Sequence, residues 1–198
     1  MEQRPSFLKP VSNLIRQFLV CACHEIAFVL GLHPAEFYST KHYGHITLHE
    51  NKNQEIKDYI EESVRTAVDL LTVGGLESFV FVVTDAESDK PLERYVFRAT
   101  LFPERSTDTK FLQEKIYDLL LKIGFEHGDE PPQKRRERNF RCLVIAHSHK
   151  TNTLAGDDAW TTMNNMELSS HRKEIIPLGY VDSGMLDLKH DVHRYVST

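Results

Sequence analysis

Apolar residues recur at three- and four-residue steps in three stretches of the chain and alternate with polar residues in others. This divides it into helices and strands before any other property is considered. In the first stretch Leu14, Phe18, Ala22, Ile26 and Val29 keep helical spacing, which predicts a helix over 12–30. Ser12 suits an N-cap, and Gly31 followed by Pro34 suits a stop. The opposite stripe, Ile15, Leu19 and Leu30, is apolar too, so this helix is expected at the centre, covered on most sides. A short half-buried strand is predicted over 43–49, with Ile46 and Leu48 on one face and His45, Thr47 and His49 on the other. Ile56, Ile60, Val64, Ala67 and Leu71 then mark a second helix that starts near Asn51 or Asn53 and stops at Gly74-Gly75.

Beyond the glycines the texture turns to strands. Residues 78–84 and 93–102 are β-rich and flank the polar turn 85–91, the pattern of an antiparallel hairpin. The first of these runs is apolar on both faces, so it is expected inside the sheet. A third helix is predicted over 110–123, with Phe111, Leu112, Ile116, Leu119, Leu120 and Ile123 inward and Gly124 as its stop. A charged loop over 126–139, a strand over 140–146 and a polar stretch over 150–173 follow. Two last strands are predicted over 175–180 and 185–196, the second with Leu186, Leu188, His190, Val192 and Val196 on one face. The order of elements predicts an α+β domain, with three helices packed on one face of a mostly antiparallel sheet.

Composition narrows the function classes. A chain of 198 residues, 40% hydrophobic and 27% charged, has the material for one folded core. A net charge of -5 argues against direct nucleic-acid binding by phosphate neutralisation over the whole surface. The longest apolar run, 18–32, carries His24 and Glu25 and falls short of the about 20 residues of a membrane span. Residues 1–10 hold charge and two prolines but no apolar segment of a secretory signal. The three cysteines, Cys21, Cys23 and Cys142, are an odd and sparse set that fits a reducing compartment, cytosol or nucleus.

Catalytic motifs are missing from the sequence. There is no GxSxG elbow and no P-loop, and Gly74-Gly75 follows a helix where a phosphate cradle would have to precede one. Eleven histidines invite a metal reading, in the groups His42/His45/His49, His147/His149 and His190/His193. Yet no CxxC or HExxH accompanies them, and Cys21 and Cys23 fall on different faces of a helix, so no metal site is expected. Asp157-Asp158 suits a solvated loop or a helix N-terminus better than acid–base work. Asp187, Asp191 and His193 alternate away from His190 on a strand and do not converge. The basic run 134–138 reads as a solvated loop or as a phosphate patch or nuclear address. Trp160, alone among polar residues, is either a plug in a satellite core or a partner anchor.

The hairpin carries a resemblance. Phe79-Val80-Phe81-Val82-Val83-Thr84-Asp85 followed by Glu93-Arg94-Tyr95-Val96-Phe97 resembles the central hairpin of HORMA-domain proteins. Lys41-His42-Tyr43-Gly44, Asp58-Tyr59-Ile60 and Glu174-Ile175-Ile176-Pro177-Leu178 agree with it, and the element order matches that fold over 11–196. The resemblance implies a core over 11–149 and a mobile safety belt over 150–198 that wraps a partner peptide pinned to the sheet.

Within the family, Glu93 to Phe97 looks more like the non-catalytic subunit of DNA polymerase zeta than like the spindle-checkpoint member, which has Trp then Gln in the middle of that motif. Ile176-Pro177-Leu178 and the spacing from Trp160 to Pro177 point the same way, while the Thr-rich stretch 151–162 and the basic loop depart from the pattern and point to a divergent species. The implied role is an adaptor in translesion synthesis, nuclear or also cytoplasmic, possessing neither catalytic residue nor cofactor. The family's pattern assigns Tyr59, Trp160, Ile176 and Pro177 to a proline-containing peptide of the catalytic subunit. It assigns Ile175, Lys189 and Asp191 to a second interface, with a Rev-type deoxycytidyl transferase scaffold. A HORMA-remodelling AAA+ ATPase and a homo- or heterodimeric HORMA partner complete the implied set. The alternative within the fold is a spindle-checkpoint adaptor for a Cdc20-type partner. Meiotic and autophagy scaffolds share the fold, and a histidine-based metalloenzyme is the rival from another class.

Overall fold

Helix α1, Leu8–Val29, is apolar nearly all round and therefore runs through the middle of the molecule, against α2 (Gln54–Thr72) and α3 (Thr109–Glu126). The structure is a computed structural model and describes residues 8–102, 105, 108–126, 137–147 and 173–195. Val11, Ile15, Phe18, Leu19, Ala22, Cys23, Ile26 and Ala27 of α1 are all buried, as its two apolar stripes require. The helix begins before the expected cap. Pro10 sits in its first turn, where a missing N–H costs nothing, and the buried Ser12 hydroxyl caps nothing.

The strand expected over 43–49 is one half of a hairpin. Strand β1, Tyr38–Tyr43, pairs antiparallel with β2, Ile46–Asn51, after a 3-10 turn over Ala35–Phe37. Ile46 and Leu48 are buried as expected, but β1 buries only Tyr38, so it shows no alternation to read. Gly44 makes the turn with a φ of +60°. A Cβ there would lie 2.2 Å from the Tyr117 hydroxyl of α3, so only glycine lets the hairpin tip close on that ring. Tyr43 and His45 pack edge-on against the same ring, with centroids 5.2 and 4.8 Å away.

Helix α2 starts where the sequence placed it. The Asn53 side chain accepts a hydrogen bond from the Glu55 N–H at 2.9 Å. It ends on Gly74, φ +66°, whose N–H bonds the Leu71 carbonyl while that of Gly75 bonds Leu70. Helix α3 runs through its expected stop, Gly124, to Glu126. Phe111, expected inward, is exposed beneath the Lys115 ammonium, because Leu112, Ile116 and Leu120 already fill the inner stripe.

Five strands form one antiparallel sheet: β3 (Leu76–Asp85), β4 (Pro91–Leu101), β5 (Arg138–Ala146), β6 (Lys173–Asp182) and β7 (Leu186–Tyr195). Their order is β5-β3-β4-β7-β6. The hairpin β3–β4 turns on Asp85, whose carboxylate accepts from the Ser88 N–H and hydroxyl at 2.9 Å. Phe79, Phe81, Val83, Tyr95, Phe97, Leu186, Leu188 and Val192 face the helices and join their core. Val80, Val82 and Val96 form a smaller buried cluster on the other face, with Leu143 and Ile145 against it. The last strand therefore lies inside the sheet, between β4 and β6, and among the described residues β5 and β6 are its two edges.

Candidate functional site

A sheet edge offers unpaired backbone groups, so each edge is a place where an extended partner can add. Strand β5 keeps register with β3 from Ser78/Ile145 to Asp85/Arg138 without a shift. Its inner face carries Phe140, Cys142 and Val144, which pack on the main core. Phe140 stacks on Phe81 at 4.8 Å, with the His33 ring edge-on at 6.2 Å and the Tyr59 ring at 6.1 Å. Tyr59 reaches this edge from α2 and stays 42% exposed. Its hydroxyl oxygen accepts a hydrogen bond from the Cys142 backbone N–H at 2.8 Å. Burial raises the Tyr59 phenol above its ordinary range, so it stays protonated at neutral pH.

Burial keeps the Cys23 thiol behind this edge, and that of Cys21 facing the β1–β2 hairpin, protonated at neutral pH. The Cys23 thiol is fully buried, is pushed well up by burial and hydrogen-bonds the Cys142 thiol; burial lifts Cys21 to about 11. His49, His190 and His24 serve the fold. The Glu25 carboxylate accepts from the His49 N–H at 2.7 Å and faces its Nδ1 at 3.2 Å, while the His49 ring stacks on Phe28. His190 is completely buried and stacked on Phe97 at 4.1 Å; burial lowers it to about 3 and His24 to about 4. Among the described residues no group of three His, Cys, Asp or Glu side chains is placed to hold a metal.

The residues assigned by resemblance separate into two regions. Tyr59 is at the β5 edge, whereas Ile176 and Pro177 are on β6, four strand spacings or about 19 Å across the sheet. The structure does not bring these three together, because β7 docks on β4 and carries β6 to the far edge. Ile176 packs inward on the core and Pro177 is exposed. Trp160 lies outside the described residues, as do all of 150–172 and the basic run up to Arg136.

The second set does come together. Ile175, 52% exposed, pairs with His193 on the face away from the helices. Asp191 and Lys189 follow on that face of β7: Asp191 accepts from the Arg98 guanidinium at 2.9 Å and the Lys189 ammonium lies 5.6 Å over the Tyr180 ring. Sequence reasoning missed Phe140, Cys142 and His33 at the β5 edge. The strand itself was legible at 140–146, but nothing local tells an edge strand from an inner one.

Comparison with known proteins agrees with this architecture. The family model described as HORMA domain matches residues 11–139. The chain is 23% identical over 93% of its length to rat "Mitotic spindle assembly checkpoint protein MAD2B", covering 90% of that protein. It is 25% identical over 47% of its length to the "DNA polymerase zeta processivity subunit" of Arabidopsis thaliana, covering 43% of that protein. A chain in the crystal structure of the mitotic checkpoint complex superposes with a TM-score of 0.78 at 20% identity, over 94% of this chain and 99% of that one. With the family model spanning well over half of its length, the chain belongs to the HORMA-domain family.

Proposed function

We propose that this chain is a non-catalytic adaptor, the accessory HORMA subunit of DNA polymerase zeta in translesion synthesis, working in the nucleus. A proline-containing peptide of the catalytic subunit adds to the open edge of β5, with Tyr59 and Trp160 as its aromatic anchors. Residues 150–198, which include β6 and β7, act as the belt that closes over it. The outer face of β6 and β7, with Ile175, Lys189 and Asp191, takes the Rev-type deoxycytidyl transferase scaffold. The observation that carries the adaptor reading is the β5 edge itself: long, regular, backed by Phe140 and flanked by Tyr59. The match to the Arabidopsis subunit and the Glu93 to Phe97 motif favour the polymerase.

A second reading, a spindle-checkpoint adaptor for a Cdc20-type peptide, is favoured by the name of the rat relative and by the fold of the checkpoint-complex chain. Calorimetric titration of the full chain with each synthetic peptide separates the two. The polymerase peptide is expected to bind and the Cdc20-type peptide to bind at least tenfold more weakly; the reverse order replaces the first reading by the second. Truncating a buried aromatic anchor costs about 2 kcal/mol or more. Tyr59→Ala is therefore expected to weaken the bound peptide at least about tenfold while the circular dichroism spectrum is unchanged. Unchanged affinity removes Tyr59 from the site.

A further inference from the structure

Tyr59 does two things to the β5 edge, and they oppose one another. Which groups of β5 face outward follows from its ends. The His147 N–H bonds the Gly75 carbonyl and the Ala86 N–H bonds the Glu137 carbonyl, both at 2.9 Å. Odd-numbered residues of β5 thus turn their backbone groups toward β3. Backbone groups alternate sides along a strand, so those of Phe140, Cys142 and Val144 turn to the open edge. Cys142 is the middle one of the three, and its outward N–H is the group that the Tyr59 hydroxyl occupies. An added strand would bring a carbonyl to the same N–H.

We propose that the Tyr59 hydroxyl is a guard on this edge: it occupies the Cys142 N–H in the free protein and must give it up for a partner strand to form the central bond of its ladder. The ring beneath it remains a docking surface. One side chain thus attracts a partner through its apolar face and holds off casual strand pairing through its oxygen. A weakly matched strand, offering one replacement bond and little else, gains nothing by displacing the hydroxyl. A matched peptide that also covers the Tyr59 and Phe140 rings displaces it at a net gain. This selects for peptides with an apolar contact at Tyr59 over arbitrary extended chains, and it protects an otherwise regular edge from self-association. The inference rests on β5 being the partner's edge.

Tyr59→Phe tests it, since it keeps the ring and removes only the oxygen. The first measurement is amide hydrogen exchange of the full chain without any partner. Losing a neutral hydrogen bond of ordinary net strength should speed Cys142 exchange about fivefold. The Arg141 and Leu143 amides, which face β3, should keep their rates. Unchanged Cys142 exchange overturns the guard. The second measurement is titration with the synthetic peptide of the polymerase zeta catalytic subunit from the same species. Tyr59→Phe should bind it about fivefold more tightly than the unmodified chain, because no internal bond is given up. Equal or weaker binding overturns the proposal and shows the hydroxyl bonding the peptide. If Cys142 exchange speeds up while neither protein binds that peptide, the guard stands and the polymerase reading falls.

Discussion

The two edges of the sheet are built differently. Strand β6 carries Pro177, which has no N–H to offer, and a register shift between Pro177 and Gly179. Gly179 rests directly on α3: a Cβ there would lie 2.1 Å from Leu119 Cδ2. Proline, a bulge and a covering helix are three ways of blunting an edge. Strand β5 has neither proline nor bulge over 138–145, where its pairing with β3 is continuous, and α2, which packs on its face, lays a single side-chain oxygen on the middle of its edge. The contrast teaches that a fold can close one edge by backbone chemistry, permanently, and leave the other to a bond that is easily exchanged. On the adaptor reading proposed above, the permanent device lies where no strand is to be added and the exchangeable one where the partner strand is to come and go.

Acidification should have the largest effect, and β7, beside β6, carries half of it. His190 of β7 and His24 of α1 are held neutral by burial, at about 3 and about 4, against about 6.5 in an unfolded chain. The unfolded state binds the extra protons, so stability is complete above about pH 6.5 and is lost as pH falls below it. Each histidine should cost about 2 kcal/mol by pH 5, which denaturant titration at pH 7 and pH 5 would read. His190→Phe should remove about half of that loss; a loss unchanged in the variant would free His190 from this role.

Gly179→Ala tests the backing of β6 by α3. The added methyl must push Leu119 or lift the strand, at about 1–2 kcal/mol of stability. Peptide affinity at the β5 edge should stay within about twofold if the edges are independent, and calorimetry showing a larger drop would couple them.

Ile175→Ala should change least. The side chain is half exposed, so stability should stay within about 0.5 kcal/mol and peptide binding should not move. Co-purification of the scaffold polymerase should fall sharply. Equal loss of peptide and scaffold would mean that the substitution disturbs the fold rather than one surface.

Much of this arrangement was legible in the sequence because it is written in local periodicity. The two-sided apolarity of α1, the hairpin β3–β4 and the inward face of β7, with Leu186, Leu188, His190 and Val192, all follow from spacing alone. Strand β1 was not legible, since an exposed strand held by one partner has no buried face to show. Gly44 falls inside the strand expected over 43–49, and the Tyr117 ring on which its turn closes lies more than seventy residues away in sequence. The separation of Tyr59 from Ile176 and Pro177 was hidden for the same reason. It is decided by β7 docking on β4, a pairing of residues such as Arg98 and Asp191 that are 93 positions apart. That Ile175, Lys189 and Asp191 share one face was easier to foresee, because they sit on strands adjacent in both sequence and space.

The inner position of β7 has a consequence for how the protein is made. Synthesis runs from the N-terminus, so β3, β4 and β5 leave the ribosome and pair before β7 exists. During that interval β4, with Tyr95, Phe97 and Ala99 turned to the core, is a sheet edge as open as β5 and far more apolar. Pairings across long stretches of chain close slowly, because loop entropy is lost before any contact repays it. The nascent molecule therefore passes through a two-edged form, in which Tyr59 covers one backbone group of β5 and no later strand yet covers β4. The order of assembly leaves β4 as the point at which a chaperone would bind, and at which two incomplete chains would exchange their final hairpins.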